Sequence, residues 1–173
     1  FAGEVNSWIN EILAVEPIYS TFQQLLTNLR LNKLEEVYPV NAAAASSHRE
    51  VQLSTYPPVP TIASQNTAKL EQHWIKPAQL ETETVEALSI DEMCSQYTDH
   101  GFEIIDVMKI DVEGAEFDVV KGAENTLNKT KRIVIEWHSE QQKLSATDYL
   151  IQRGFSLVYA EAHRFGDLYF ERI

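Results

Sequence analysis

Residues 107–123 read VMKIDVEGAEFDVVKGA and join an apolar strand to a helix through a short acidic turn. The apolar run covers residues 104–110, and a helix with one apolar side is predicted from about Gly114. The next apolar run, residues 133–135, follows that helix. Strands that are joined by a helix pair in parallel through a right-handed crossover. This stretch therefore predicts an α/β fold that contains a parallel sheet.

The N-terminal part repeats the same order of strand, helix and strand. Residues 12–15 (ILAV) form a short apolar run that is typical of a strand buried on both faces. Ser20 and Gln23 have the spacing of a capping box, and apolar residues then recur at helical spacing to near Asn32. Residues 36–41 predict the next strand, which Pro39 places at an edge of the sheet.

The middle of the chain has a different character. Residues 54–77 contain four prolines and no sustained periodicity, which predicts a long loop or lid. Residues 80–88, rich in Thr and Glu, predict an edge strand, so residues 54–88 are interpreted as an inserted segment. Ser89 and Glu92 then repeat the capping-box spacing and predict a helix to about Tyr97.

The C-terminal part predicts one more helix and two strands. A helix through residues 148–153 should stop at Gly154, a residue type favoured just past a helix end. Residues 157–159 and 168–170 are short apolar runs that we expect to pair in antiparallel. The whole chain, residues 1–173, is thus predicted to be a single α/β domain with a mostly parallel sheet and an antiparallel C-terminal pair.

Composition restricts the classes of partner. The chain of 173 residues carries 14 basic and 26 acidic side chains, a formal net charge of −12. Such a surface repels phosphate groups, so neither nucleic acid nor an anionic membrane is an expected partner, and the oligomeric state is left open. The single cysteine, Cys94, is predicted to be at least half-buried and fits a reducing compartment. With neither a signal peptide nor an apolar run of membrane-spanning length, the expected location is cytoplasmic.

Polar residues stand where the predicted strands end. Open α/β sheets bind their ligands outside the carboxyl ends of the strands, so these residues are the candidates for a site. They are Glu16, Asn41, Asp111, Glu113, Glu136 and His138.

Glu16 is the candidate for contact with a nucleotide-like cofactor. An acidic residue at the end of such a strand can accept hydrogen bonds from both hydroxyls of a ribose. The alternative is a solvated carboxylate with no ligand.

Asp111 and Glu113 are separated from Glu116 by a glycine that allows a close turn into the helix. Glu113 and Glu116 should lie in or beside the first helical turn, where the helix dipole favours negative charge. This dipole role explains Glu116 but not Asp111, because a carboxylate that faces a ligand crevice gains nothing from the helix.

Glu136 and His138 are two residues apart and should share one face of an extended segment, as Asp111 and Glu113 should on the neighbouring strand. Three interpretations stay open. His138 or a carboxylate can act as a general base toward an acceptor hydroxyl. The carboxylates can hold a divalent metal. The groups can also form a hydrogen-bonded pair without chemistry.

Several of these stretches together resemble the FkbM family of methyltransferases. The resemblance rests on residues 12–32 (ILAVEPIYSTFQQLLTNLRLN), 40–43 (VNAA), 107–123 and 133–138 (IVIEWH), in this order, with Gly154-Phe155 after a further helix. It covers about 120 residues, and KIDVEGAE is its most specific part.

The resemblance implies a class I methyltransferase (Rossmann-like) fold with S-adenosylmethionine as cofactor and a hydroxyl of a small molecule or sugar as methyl acceptor. By position, Glu16 would hold the ribose, and Asn41 with Ala42 would lie beside the adenine. Asp111, Glu113, Glu136 and His138 would line the acceptor side. No residue is assigned as a metal ligand, and a divalent metal is possible as a cofactor but not supported. The protein's tasks would be positioning and general base catalysis.

One part of the family pattern has no counterpart. In the family, a strand and a glycine-rich turn precede the strand that ends at Glu16, whereas the only glycine upstream here is Gly3. The resemblance therefore implies a sheet that lacks its first strand and is split between the strands ending at Glu16 and Asp111. Such a chain should bind cofactor weakly or not at all. A non-catalytic methyltransferase-like binding or scaffold domain is the alternative. A dinucleotide-dependent oxidoreductase would also use Glu16, but no G-x-G-x-x-G stretch supports it.

Overall fold

The computed structural model describes residues 11–56, 59–64, 80–98, 101–161 and 166–173. The strands in these ranges are β1 (Ile12–Val15), β2 (Val37–Val40), β3 (Ala43–Ala45), β4 (Arg49–Tyr56), β5 (Val59–Ser64), β6 (Glu81–Ser89), β7 (Ile105–Ile110), β8 (Thr130–Trp137), β9 (Phe155–Ala160) and β10 (Gly166–Arg172). The helices are α1 (Tyr19–Asn32), α2 (Ile90–Tyr97), α3 (Glu116–Lys121), α4 (Glu124–Leu127) and α5 (Glu140–Ile151).

The described strands form three sheets. One is the parallel pair β1–β2, the second has the order β7-β8-β10-β9, and the third has the order β3-β6-β4-β5. β7 and β8 are parallel, whereas β10 is antiparallel to both β8 and β9. The predicted α/β fold, the parallel pairing and the antiparallel C-terminal pair are all confirmed, and Pro39 lies on an edge strand as expected because β2 pairs with β1.

The largest core lies around β8 and fixes the geometry of its end. Ile133 and Ile135 are fully buried, and they pack with Phe170 of β10 and Leu150 of α5. Each such side chain contributes roughly 1.5–3 kcal/mol when it leaves water. The carboxyl ends of β7 and β8 therefore rest on well-packed strands.

Helix α1 confirms the predicted span but not the predicted cap. Its first residue is Tyr19, so Ser20 lies inside the first turn and cannot serve as the cap. The N-cap is Ile18, which has no side-chain cap bond of its own. The Glu16 carboxylate instead accepts a hydrogen bond from the Ile18 N–H at 2.8 Å. Glu16 therefore binds the backbone of the N-cap residue, whereas the predicted cap of Ser20 would have accepted from an N–H inside the first turn.

Helix α2 confirms both its span and its capping box. The Ser89 hydroxyl accepts from the Glu92 N–H at 3.1 Å, and the Glu92 carboxylate accepts from the Ser89 N–H at 2.9 Å. None of the described helices is both long and apolar enough to cross a membrane. Cys94, within α2, is half-buried as predicted, and loss of solvent raises the pKa of its thiol.

The helix predicted from about Gly114 to Leu127 is broken in two. It is interrupted at Gly122 and Ala123, between α3 and α4. A Cβ on Gly122 would lie 2.0 Å from the carbonyl oxygen of Ala45, so only glycine allows this approach to β3. The Asp91 carboxylate accepts hydrogen bonds from Asn125 and holds the start of the second helix.

The last helix is longer than predicted. α5 begins at Glu140 rather than near residue 148, and the Ser139 hydroxyl accepts from the Gln142 N–H as its cap. Gly154 follows the helix with φ +83°, a conformation that favours glycine, so the predicted stop is confirmed.

The prediction for the middle segment is wrong for the residues that the structure describes. Residues 54–56 end β4, residues 59–64 form β5, and β6 is an inner strand because it pairs with both β3 and β4. Val51 and Leu53 of β4 and Val85 and Ala87 of β6 are buried at alternating positions. The prolines of residues 54–77 favoured a loop, but pairing with β4 places residues 59–64 in a strand. Residues 57–58 and 65–79 lie outside the described residues, and a lid in this segment stays a prediction.

Candidate functional site

The strands β1 and β7 face a common opening. Among the described residues, β1 pairs only with β2 and β7 only with β8. The two edges line one cavity of about 1070 Å³. Val107 on β7 is 55% exposed and Ile12 on β1 is 37% exposed, so apolar side chains of both edges are uncovered. The expected split of the sheet at this place is confirmed for the described residues.

The carboxyl ends of both strands open into this cavity. Glu16 and Pro17 line it from β1, and Asp111 and Glu113 line it from β7. The volume is slightly above the range of about 300–1,000 Å³ that is usual for small-molecule sites. The carboxyl ends of the strands, where ligands were expected to bind, thus open into a cavity. Three of the predicted site residues line it: Glu16, Asp111 and Glu113.

Glu16 combines a structural bond with a position at the cavity wall. One carboxylate oxygen accepts from the Ile18 N–H at 2.8 Å. Loss of solvent raises the pKa of this carboxyl, and the Ile18 hydrogen bond partly offsets the rise. A carboxylate has more than one acceptor position, so Glu16 can hold the start of α1 and also accept from a ligand hydroxyl.

Asn41 and Ala42 lie behind this wall. The Asn41 side-chain amide donates to the carbonyl oxygens of Glu16 and Pro17 at 2.9 and 3.0 Å. Ala42 is buried against the apolar side chains of Val40 and its neighbours. Asn41 therefore fixes the turn that carries Glu16, a role that the sequence did not indicate, and contact of either residue with an adenine stays a prediction.

Asp111 and Glu136 approach each other across the β7–β8 pair. The parallel register aligns Ile110 with Ile135, so the next residue of each strand is its neighbour at the sheet edge. Loss of solvent and the negative charge of Glu136 raise the pKa of Asp111 to about 6, and Glu136 also accepts a hydrogen bond from the protonated form. The two carboxylates thus hold a proton between them more easily than isolated acids do.

The turn after Asp111 brings Glu113 into the same group. Glu113 has φ +50° and Gly114 has φ +104°, so two left-handed residues follow each other. The left-handed conformation costs a non-glycine residue roughly 1 kcal/mol or more. In this conformation a carboxylate oxygen of Glu113 lies 3.3 Å from Nε2 of His138.

His138 lies between Glu113 and Glu116. Its Nδ1 is 2.7 Å from a carboxylate oxygen of Glu116, and its Nε2 is also 3.9 Å from Glu136. The His138 side chain is 9% exposed and that of Glu116 is 0% exposed. Glu116 begins α3 as expected, but the helix dipole is an incomplete explanation, because a dipole role needs neither burial nor a histidine partner.

The cluster also has the spacing of a metal site. Asp111, Glu113 and His138 each offer one ligand atom, and these atoms all lie within 4.8 Å of one another. Carboxylate oxygens and an imidazole nitrogen suit several divalent metals. A metal and a proton would both use the lone pair of Nε2, so the general-base and the metal interpretations compete for the same atom.

Lys109 and Asp167 also belong to the site, although neither was predicted from the sequence. Lys109 Nζ donates to Asp167 at 2.9 Å and to Glu136 at 3.5 Å. Burial alone would lower the pKa of Lys109, but these carboxylates and Asp111 raise it. The alternation of β7 places Lys109 on the same face as Asp111 and was a usable signal. Asp167 depends on the register of β10 against β8, which no local pattern indicates.

The family model and the relatives that match this chain are all methyltransferases. Residues 2–165 match the family model described as methyltransferase FkbM domain. The chain is 28% identical over 168 residues to methyltransferase sdnD of Sordaria araneosa, with 85% of this chain covered. It is 40% identical over 58 residues, 34% of this chain, to the 2-O-methyltransferase NoeI of Sinorhizobium fredii strain NBRC 101917 / NGR234.

A solved structure has the same fold. The crystal structure of an FkbM methyltransferase from Methylobacillus flagellatus KT superposes with a TM-score of 0.60 at 17% identity, over 94% of this chain. The chain covers 65% of sdnD, 23% of NoeI and 36% of the crystallised chain. It therefore spans less than two thirds of each of these proteins.

Proposed function

Because the chain belongs to the FkbM methyltransferase family, we propose that it acts in methyl transfer from S-adenosylmethionine to a hydroxyl of a small molecule or sugar. The observation that carries this proposal is the meeting of two groups of strand-end residues at one cavity. Glu16 lies on the β1 side, and Asp111 and Glu113 lie on the β7 side. The His138 imidazole adjoins the second group through Glu113.

Glu16 is the residue that would hold the ribose of the cofactor. It lines the cavity, and Asn41 fixes the turn from which it projects. Its second acceptor position suits a hydroxyl donor. The cofactor supplies a methyl group that is already activated as a sulfonium. The protein has to orient the acceptor and remove its proton.

The cluster at the ends of β7 and β8 would take the proton of the acceptor hydroxyl. As the hydroxyl oxygen gains the methyl group, its proton passes to Nε2 of His138 or to a neighbouring carboxylate. An imidazolium at this place would be stabilised by Glu113 and Glu116, which contact its two ring nitrogens. This arrangement supports His138 as the base rather than as a simple structural residue.

The relatives support a hydroxyl as the acceptor to a limited extent. NoeI is named a 2-O-methyltransferase, and the matched segment is 40% identical to it. The name of sdnD specifies methyl transfer without an acceptor. The proposal therefore specifies a hydroxyl acceptor and leaves its molecule open.

A non-catalytic binding or scaffold role is the second candidate. The uncovered edges of β1 and β7 favour it, because a cavity open along two strand edges offers fewer fixed contacts to a cofactor. The retained cluster of Asp111, Glu113, Glu136 and His138 argues for catalysis. The two candidates differ in what they predict for cofactor binding.

The decisive experiment is calorimetric titration of S-adenosylhomocysteine, the demethylated product. It should be carried out with this chain and with a chimera that adds the first strand and glycine-rich turn of another family member. Binding by the chimera, abolished or weakened by Glu16→Ala, would support the methyltransferase proposal. No binding by either protein, with both folded by circular dichroism, would favour the scaffold role.

A further inference from the structure

The pair formed by Glu116 and His138 is the most buried ionisable contact in the described part of the cluster. Glu116 is 0% exposed, and one of its carboxylate oxygens lies 2.7 Å from His138 Nδ1. We propose that Glu116 is a positioning residue that fixes the Nδ1–H tautomer of His138 and so makes Nε2 the proton-accepting atom. This inference rests on the proposed function for its purpose, but the contact can be tested without any reaction.

The hydrogen bond between Glu116 and Nδ1 favours one of the two neutral tautomers of His138. A neutral imidazole has one N–H group and one lone pair, and an ionised carboxylate can only accept hydrogen bonds. The 2.7 Å contact between Nδ1 and Glu116 is shorter than the 3.3 Å contact between Nε2 and Glu113, so an ionised Glu116 favours hydrogen on Nδ1 in the neutral ring. The lone pair of the neutral ring then lies on Nε2. Without such a partner, a neutral histidine in water favours hydrogen on Nε2, the opposite arrangement.

The Nε2 atom faces Glu113, a residue of the cavity wall, whereas His138 itself is not among the lining residues. Nε2 lies 3.3 Å from Glu113 and 3.9 Å from Glu136. A lone pair and a carboxylate at 3.3 Å attract each other only when a proton or a cation lies between them. This is the position that a proton from an acceptor hydroxyl would take.

Glu116 is itself held firmly. Its oxygen that contacts His138 also accepts from the Gly114 N–H at 2.8 Å. Its other oxygen is buried, with no hydrogen-bond partner among the described residues. Burial of a carboxylate costs several kcal/mol unless its partners compensate. Burial of Glu116 therefore lowers the stability of the fold, an effect that an exposed carboxylate at a helix start would not have.

Glu124 shows what a helix-dipole role alone looks like. It is also the first residue of a helix, α4, but its side chain is 68% exposed and pairs with Arg153. If Glu116 served only the dipole, its removal and the removal of Glu124 would have similar consequences. The positioning role predicts that only Glu116 affects His138.

The test is long-range ¹H–¹⁵N NMR of the imidazole rings at a pH at which they are neutral. The His138 signals are assigned by their loss in His138→Gln. Wild-type protein should show hydrogen on Nδ1, and Glu116→Ala should shift the ring to hydrogen on Nε2. Glu116→Gln retains an acceptor oxygen and should keep the wild-type tautomer in a fraction of molecules. Glu124→Ala should leave the ring unchanged.

Two results would overturn the proposal. One is hydrogen on Nε2 of His138 in the wild type, and the other is a tautomer that stays the same in a folded Glu116→Ala protein. If Glu116→Ala does not fold, the same comparison is made with Glu116→Gln, in which any shift must be toward hydrogen on Nε2. A tautomer that responds as expected, in a protein whose turnover is insensitive to His138→Gln, would keep the positioning contact and refute the general-base function.

Discussion

Two of the three parallel strand pairs in the described residues, β1–β2 and β7–β8, use the polar residues at their carboxyl ends in opposite ways. In the first pair, Glu16 accepts from a backbone N–H and Asn41 donates to two backbone carbonyls. In the second pair, Asp111 and Glu136 face each other, and His138 lies between two glutamates. The first set is bonded mostly to backbone and the second set mostly to other side chains.

This difference suggests a structural role for the polar residues at the β1–β2 end and a catalytic role for those at the β7–β8 end. Side chains that bond to backbone stabilise a turn and hold a wall of the cavity in place. Like charges that are brought together destabilise the fold unless a proton, a cation or a ligand compensates, and perturbed pKa values of this kind are common at functional sites. Variants of the β1–β2 end should therefore change stability and cofactor affinity, whereas variants of the β7–β8 end should change turnover.

The largest effect is expected for His138→Ala. Loss of a general base typically lowers the rate roughly 10²–10⁴-fold. Affinity for S-adenosylhomocysteine should stay the same, because the ring adjoins the acceptor side. Turnover and calorimetric binding of S-adenosylhomocysteine are measured on the chimera that carries the added first strand and glycine-rich turn. His48→Ala is the control, since His48 is exposed and pairs with Glu86 in another sheet. Equal losses of turnover and affinity would refute the base role.

Glu16→Ala should show the reverse pattern. A hydrogen bond to a charged group is worth about 1.5–3 kcal/mol, so the dissociation constant for S-adenosylhomocysteine should rise about tenfold or more. Calorimetry on the same protein measures it, with Glu35→Ala as an exposed acidic control. Unchanged affinity in Glu16→Ala would remove this residue from the ribose site.

Asn41→Ala tests the supporting role of the β1–β2 end. Two hydrogen bonds to the carbonyls of Glu16 and Pro17 are lost, and the free energy of unfolding should fall by about 1–2 kcal/mol. Urea denaturation measures this change. Asn32→Ala, which removes an exposed side-chain bond within α1, is the matched control and should cost less. Equal stability of the Asn41 variant and the wild type would contradict the assignment of Asn41 as a support.

The sequence predicted what depends on local patterns. The strand 12–15, the helix end at Asn32 and the capping box of Ser89 and Glu92 each follow from a few adjacent residues, and all are confirmed. The inner position of β6 follows from pairing with two strands that are distant in the chain, and the prediction of an edge was wrong. Local composition carries no information about which neighbours a strand acquires.

The same limit applies to the site. Alternation on two neighbouring strands correctly grouped Asp111, Glu113 and His138, because parallel strands bring their ends together. The role of Glu116 was missed because its contact with His138 depends on the packing of α3 against β8. Breaks such as that at Gly122 were missed for a similar reason, since the close carbonyl belongs to Ala45 on another sheet.

The pH dependence of stability tests the pairing of Asp111 with Glu136 at the β7–β8 end. The pKa of Asp111 is about 6 in the folded protein against an ordinary value of 3.8, so the folded state favours its protonated form. This contribution to stability is complete below pH 3.8 and is lost as the pH rises through about 6. Asp111→Asn cannot lose that proton, and it should gain stability relative to the wild type over this window. Urea denaturation of both proteins at pH values across the window measures the difference in stability. Groups that do not interact with Asp111 titrate alike in the two proteins, so their contributions cancel. A difference that is constant with pH would show that the pKa of Asp111 is not raised in the folded protein. The contrast between the ends of β7–β8 and β1–β2 would then lose its electrostatic basis.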